Sequence, residues 1–167
     1  MPVTNEILNK FNSIPLYIET GTDNGDSLNK AVIAGYKEII TIDIAECKHT
    51  RDRCRHLTNV KFVQGSSTDV MWDLIKDVNT QIVFYLDAHL FGDQVSHQLP
   101  LMSEIDIISK HHIKNHVIIL DDVRLFETDM GLNTQNIINK LKEINPDYKI
   151  SFADDQVARR DLLICNV

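Results

Sequence analysis

Cysteine is scarce in this chain, and its spacing excludes the usual thiol-based sites. The three cysteines among 167 residues are odd in number and form no C-x-x-C pair, which argues against a disulfide framework. We therefore expect reduced thiols and a cytoplasmic protein. Apolar runs long enough to span a membrane are missing, and residues 1–15 are too polar and mixed in charge for a signal peptide.

Basic residues are fewer than acidic ones in this chain, and sequence repeats are missing. Lys plus Arg number 17 against 24 Asp plus Glu, and the formal net charge of -7 argues against a nucleic-acid partner. Internal repeats, low-complexity segments and linkers are missing too, and the length suits one hydrophobic core. Residues 1–167 are therefore expected to form a single domain without a nucleic-acid or membrane partner.

What the chain does contain is a regular alternation of strand and helix patterns. Five apolar strand patterns lead into helical patterns, at 16–19, 39–44, 60–64, 82–86 and 117–120. Two more strand patterns, at 149–152 and 162–167, are joined by a connection too short for a helical crossover, which predicts an antiparallel hairpin. The order predicts an α/β fold, a doubly wound Rossmann-like sheet whose ligands bind at the carboxyl ends of the strands.

The turn after the first strand, residues 19–27 (E-T-G-T-D-N-G-D-S), has the form of a ligand-binding turn. Gly21 and Gly25 allow positive φ and close approach of the backbone to a ligand. The G-x-x-x-G spacing lacks the third glycine of a dinucleotide fingerprint, so a purely structural β-α turn is the other interpretation. Asp23 and Asp26 disfavour a pyrophosphate. The second strand ends in Asp43, at the position of a ribose-binding acid.

Three aspartates end two apolar strands that we expect to be neighbours. Asp87 follows the fourth strand, and Asp121 and Asp122 follow the fifth. Crowded carboxylates raise one another's pKa unless a cation or hydrogen-bond donors offset the repulsion. Oxygen ligands favour Mg²⁺, Mn²⁺ or Ca²⁺ over zinc. The alternative is that the acids cap helices and accept backbone hydrogen bonds without a metal.

The histidines divide into two groups. His89 follows Asp87 at a strand end and could accept a proton near neutral pH, although a loop histidine without a role is the alternative. His111, His112 and His116 straddle a helix end and a strand. We expect them on the surface rather than as ligands.

Five motifs in order along residues 16–123 resemble the class I S-adenosylmethionine-dependent methyltransferases. The resemblance is greatest to the divalent-metal-dependent small-molecule O-methyltransferases, such as catechol O-methyltransferase. The five segments are 19–27, similar to E-x-G-x-x-x-G-x-S; T-I-D at 41–43, similar to T-I-E; V-Q-G-S-S at 63–67; F-Y-L-D at 84–87; and L-D-D-V at 120–123.

The resemblance implies a Rossmann-like methyltransferase sheet of five β-α units and a C-terminal antiparallel hairpin, together with a set of site residues. It implies S-adenosylmethionine binding by Glu19, Gly21, Thr22, Asp23, Gly25, Ser27, Asp43, Ile44, Gly65, Ser66, Ser67 and Asp87. It implies Asp87, Asp121 and Asp122 as ligands of Mg²⁺, Mn²⁺ or Ca²⁺, with Asp122 where asparagine is common. Asp87 and His89 are the predicted catalytic residues, because the family's catalytic lysine would fall at Leu90.

The sequence therefore favours a methyltransferase acting on a hydroxyl of a small molecule, such as a sugar, polyol or catechol-like acceptor, with help from a divalent metal. Two alternatives stay open: a metal-independent methyltransferase, and a lidless module that binds S-adenosylmethionine without methyl transfer. We expect residues 1–167 to lack the N-terminal helices that cover the site in many relatives. Short loops at 90–100 and 124–131, or a second subunit in a homo-oligomer, must then complete the acceptor site.

Overall fold

A computed structural model describes residues 3–88 and 99–167. Seven strands form one sheet in the order β3-β2-β1-β4-β5-β7-β6. The strands are β1 Leu16–Thr20, β2 Glu38–Asp43, β3 Val60–Gln64, β4 Ile82–Leu86, β5 Val117–Leu120, β6 Lys149–Ala153 and β7 Leu162–Asn166. The helices are α1 Asn5–Asn9, α2 Asp26–Ala34, α3 Lys48–Cys54, α4 Ser67–Ile75, α5 Leu101–Lys110 and α6 Thr134–Ile144, and a 3₁₀ helix spans Val123–Leu125.

The central strands are buried on both faces, as their continuous apolar sequences predict. All five residues of β4 are buried, and β4 pairs in parallel with β1 and β5. Alternate residues of each strand point to opposite faces and build two cores. One core, around Phe84 and Ile118, packs against α4, α5 and α6; the other, around Tyr17 and Val83, packs against α1, α2 and α3. The predicted doubly wound α/β fold is confirmed.

The C-terminal pair of strands completes the sheet as predicted. Strand β7 runs antiparallel to both β5 and β6, with Ile118 opposite Cys165 and Ile150 opposite the same cysteine. Cys165 is fully buried, and all three cysteines are free thiols. Within residues 3–88 and 99–167, no helix is both long and apolar enough to cross a membrane.

The expectation that all three clustered histidines lie on the surface is wrong. His111 and His116 are fully buried, and only His112 is exposed. The Ile82 N–H donates to His116 Nδ1 at 3.1 Å, and His116 Nε2 lies 2.9 Å from His111 Nδ1. Their position between a helix end and a strand does not keep them at the surface, because the segment between α5 and β5 brings the His111 and His116 rings together beside the amino ends of β4 and β5. Burial lowers the pKa of His116 to about 3.

Candidate active site

Four parallel strands end side by side at one edge of the sheet. The Gly21 N–H donates to the Ile42 carbonyl at 2.8 Å, and the Asp87 N–H donates to the Thr20 carbonyl at 3.1 Å. The Asp121 N–H continues the series, donating to the Leu86 carbonyl at 3.2 Å. The structure therefore brings the residues that follow β1, β2, β4 and β5 to one rim, where α/β proteins bind their ligands.

The glycine turn lies tightly against the end of β4. Gly21 has φ +87° and Gly25 has φ +77°, a region that residues with a Cβ rarely adopt. A Cβ at Gly21 would clash with the Asp87 carbonyl, and one at Gly25 would clash with the Thr50 side chain. Gly25 is also the N-cap of α2 and provides no side-chain cap. The first N–H groups of α2 are thus left for a ligand or solvent.

Asp43 fixes the shape of this turn. Its Oδ2 accepts the N–H groups of Thr22 at 2.9 Å and Asp23 at 3.1 Å, and its Oδ1 accepts the Ala45 N–H at 2.8 Å. A carboxylate offers about four lone-pair positions, so these three bonds leave one more, which the weakly donating Cys47 thiol approaches. Asp43 can therefore hold the turn and still accept a hydroxyl of a bound ligand.

Glu19 lies beneath the turn and is fully buried. Its carboxylate accepts the Thr41 hydroxyl at 2.7 Å, the Tyr17 hydroxyl at 3.3 Å and the Ser27 hydroxyl. Burial raises the pKa of Glu19 to about 7, although the three hydroxyls oppose the shift. Thr41 Oγ1 also lies 2.5 Å from Thr22 Oγ1. Glu19, predicted as a cofactor ligand, is thus placed to support the turn from within the core.

The other predicted cofactor residues lie along the same rim. Ser27 is buried in the first turn of α2. Gly65 follows β3, and its N–H donates to the Asp43 carbonyl at 2.8 Å. Ser66 Oγ lies 2.7 Å from Thr68 Oγ1, and Ser67 is the buried first residue of α4. Ile44, directly after Asp43, leaves 56% of its surface exposed, which is unusual for isoleucine and provides an apolar patch at the rim.

Two of the three predicted metal ligands share one tyrosine hydroxyl. The hydroxyl of Tyr85 donates to Asp121 Oδ2 and lies 3.2 Å from Asp87 Oδ2. Burial, followed by the charges of Asp121 and Asp122, raises the pKa of Asp87 well above its usual range. Burial also raises the pKa of Asp121. The sequence interpretation missed Tyr85, although its position two residues before Asp87 places both side chains on one face of the strand.

The third predicted ligand, Asp122, belongs to a different contact. Its backbone is left-handed, with φ +54°, and its Oδ1 lies 2.6 Å from a terminal nitrogen of Arg124. The same guanidinium nitrogen pairs with Asp161, a fully buried residue just before β7. Neither Arg124 nor Asp161 was singled out from the sequence. Their separation of 37 residues gives no local pattern that could have found them.

The predicted divalent-metal site can be tested against this arrangement. Within residues 3–88 and 99–167, the acids whose oxygens lie within 4.8 Å of one another as a set of three are Asp121, Asp122 and Asp161. Asp87 is not part of that set. Because Arg124 already neutralises two of its members, the carboxylates do not fit a divalent ion as they stand. The metal stays a prediction.

The predicted base, His89, lies outside the described residues, as does Leu90.

Next to Asp121, a small cavity opens between β4, α5 and the 3₁₀ helix. Its walls are largely apolar, with two acidic side chains among them, and include Leu86, Leu101, Glu104, Asp121, Phe126 and Met130.

Comparison with known proteins gives a likeness in structure alone. The chain matches no protein-family model and no curated protein sequence. A protein from Staphylococcus aureus described as a caffeoyl-CoA O-methyltransferase superposes with a TM-score of 0.65 at 15% identity, covering 99% of this chain and 85% of its own. A protein from Streptococcus mutans described as a methyltransferase, solved with S-adenosylhomocysteine, gives 0.65 at 14% identity, covering 99% of this chain and 98% of its own.

A third solved structure extends the same result. The O-methyltransferase TomG from Streptomyces achromogenes, in complex with S-adenosylmethionine, gives a TM-score of 0.61 at 11% identity, covering 98% of this chain and 78% of its own. Identities this low establish the fold. The chain has the Rossmann-like fold of the S-adenosylmethionine-dependent methyltransferases.

Proposed function

We propose that this protein is an S-adenosylmethionine-dependent methyltransferase that acts on a hydroxyl of a small molecule. The observation that carries the proposal is the glycine turn held by Asp43 at the rim of a methyltransferase-like sheet. The net charge of -7 supports a small-molecule acceptor over a nucleic acid. The free thiols support a cytoplasmic location.

Residues of this rim would hold the cofactor by simple complementarity. The uncapped N–H groups at the start of α2 suit a carboxylate, and the remaining lone pair of Asp43 suits a ribose hydroxyl. The exposed Ile44 side chain suits the face of a planar ring. When bound, S-adenosylmethionine supplies a methyl group on a positively charged sulfur.

The acceptor would bind beside Asp87 and Asp121. A rim that holds the acceptor oxygen in line with the methyl group raises the rate by proximity and orientation. Once ionised, Asp87 is a stronger proton acceptor than an ordinary aspartate, because burial and its neighbours raise its pKa. Near neutral pH only a small fraction of the protein carries that ionised form. His89, the base predicted from sequence, remains the second candidate for this role.

The direct test of the proposal is calorimetry with S-adenosylmethionine. We expect stoichiometric binding, and we expect Asp43→Asn to weaken it by roughly tenfold or more, since the amide cannot accept all three backbone N–H groups and a ribose hydroxyl. Asp147→Asn removes the same charge at an exposed site and should bind like the wild type. Equal affinities in all three proteins would refute the assigned cofactor site.

Methyl transfer itself needs a product assay. Release of S-adenosylhomocysteine should depend on one class of hydroxyl acceptor in a screen of sugars, polyols and catechols. Tight cofactor binding without acceptor-dependent product would instead favour the module that binds S-adenosylmethionine without transferring methyl. If a second copy of the chain completes the acceptor site, turnover should rise more than linearly with protein concentration.

Metal assistance is the alternative chemistry. It is favoured by the three carboxylates within 4.8 Å of one another, and it would require a divalent ion to displace Arg124 from Asp122 and Asp161. Turnover that survives EDTA supports the metal-free reaction. Turnover abolished by EDTA and restored by Mg²⁺ supports the metal-assisted one.

A further inference from the structure

Three carboxylates meet where β5 ends and β7 begins, and Arg124, within the described part of the chain, places its positive charge against two of them. Oxygens of Asp121, Asp122 and Asp161 lie within 4.8 Å of one another. Asp161 is fully buried, so its negative charge cannot be screened by water. Hydrogen-bond donors, a bound cation or a positively charged side chain can stabilise such a group, and this one has both donors and a positively charged side chain.

Arg124 is built into this group by its backbone as well as its side chain. Its N–H donates to Asp161 Oδ1 at 2.9 Å, and the N–H of Val123 donates to the Asp161 carbonyl at 2.9 Å. From the same residue, the guanidinium reaches Asp122 Oδ1 at 2.6 Å and also Asp161. The left-handed backbone of Asp122 turns the chain so that the two acids and Arg124 face one another.

We propose that Arg124 is a positioning residue that takes the place of a divalent cation, neutralising Asp122 and Asp161 and fixing the end of β5 against the start of β7. Its delocalised, planar charge suits two carboxylates at once. If Arg124 replaces the cation, methyl transfer proceeds without a metal; this consequence rests on the proposed function. The charge arrangement itself does not.

The proposal predicts that removing the guanidinium creates a metal site. In Arg124→Met, Asp122 and Asp161 lose the guanidinium, and the three carboxylates should bind Mn²⁺ roughly tenfold or more tightly than in the wild type, because affinity follows the ligand charge left unneutralised. Mn²⁺ binding is read from the loss of the free-ion electron paramagnetic resonance signal. Arg124→Lys keeps a positive charge and should stay as weak as the wild type.

Two controls separate this role from a general effect of charge. Arg159→Met removes the same charge from an exposed position and should leave Mn²⁺ affinity unchanged. Asp161→Asn, added to Arg124→Met, should abolish the gained affinity. Wild-type protein that binds Mn²⁺ as tightly as Arg124→Met, or a folded Arg124→Met that gains no affinity, overturns the proposal.

Stability gives a second reading if Arg124→Met folds poorly. An ion that binds only the folded state raises the melting temperature of the protein. Mg²⁺ or Mn²⁺ should therefore restore the circular dichroism spectrum of Arg124→Met and leave that of the wild type unchanged. A variant that stays unfolded at millimolar concentrations of both ions counts against the proposal. Because none of these measurements involves S-adenosylmethionine, their failure is distinguishable from failure of the proposed function.

Discussion

Replacing the buried Glu19 by glutamine should remove one defined part of the pH dependence of stability. In the folded protein the pKa of Glu19 rises from 4.5 to about 7, chiefly because burial penalises the charged form. Between these two values the folded state holds a proton that the unfolded chain has lost. The stabilisation is therefore fully present below pH 4.5 and is lost as the pH rises through about 7.

The size of the effect follows from the two pKa values. At about 1.4 kcal/mol for each pH unit of separation, the wild type should lose roughly 2 to 3 kcal/mol of unfolding free energy from Glu19 between about pH 5 and pH 8. Glutamine cannot ionise, so Glu19→Gln lacks this loss. Any cost of facing its amide toward the hydroxyls of Thr41, Tyr17 and Ser27 is independent of pH, because neither the amide nor these hydroxyls ionise between about pH 5 and pH 8.

The assay is urea unfolding of both proteins at several pH values in that range. Contributions from titrating groups that do not interact with Glu19, such as His116, occur in both proteins and largely cancel in the difference. The pKa of Asp87 is raised in part by the charge of Glu19 and should fall somewhat in Glu19→Gln. Glu38→Gln makes the same chemical change at an exposed position and should follow the wild-type curve. Parallel curves for wild type and Glu19→Gln would refute the claim that Glu19 titrates inside the core.

Two further predictions concern other parts of the fold. Gly21→Ala and Gly35→Ala place alanine at nearly the same backbone angle, φ +87° and +84°, but only at Gly21 does a Cβ meet the Asp87 carbonyl. Both variants should lose about 1–2 kcal/mol from strain, and Gly21→Ala should lose a further 1–3 kcal/mol or so from the clash and bind S-adenosylmethionine more weakly; equal losses in urea unfolding would contradict the close contact. For His116, whose pKa is lowered from 6.5 to about 3, stability is fully present above pH 6.5 and is lost as the pH falls toward 3. His116→Phe should flatten this fall in the unfolding free energy at acid pH, whereas His56→Phe, at an exposed position in another part of the fold, should leave it unchanged. Parallel acid-side curves for the wild type and both variants would show that His116 does not titrate in this way.

Much of the site's location was open to prediction from local sequence. The apolar run at 82–86 predicts a buried strand, and the residue after such a strand falls at the ligand-binding rim. Asp43, Asp87 and Asp121 could therefore be placed at one edge before any contact was known. The G-x-x-x-G turn could also be predicted from the sequence, because positive φ at Gly21 and Gly25 is a local property of the backbone.

The sequence by itself determined the succession of strands and helices along the chain, the edge of the sheet where the candidate site lies and the acids along it, since each of these depends on periodicity or on the end of one element. Only the tertiary structure decided which donors those acids meet. Tyr85 reaches Asp121 across 36 residues, Arg124 reaches Asp161 across 37, and the loop after α5 buries His111 against His116. Such contacts are set by how loops and neighbouring strands pack, which no repeat in the sequence records.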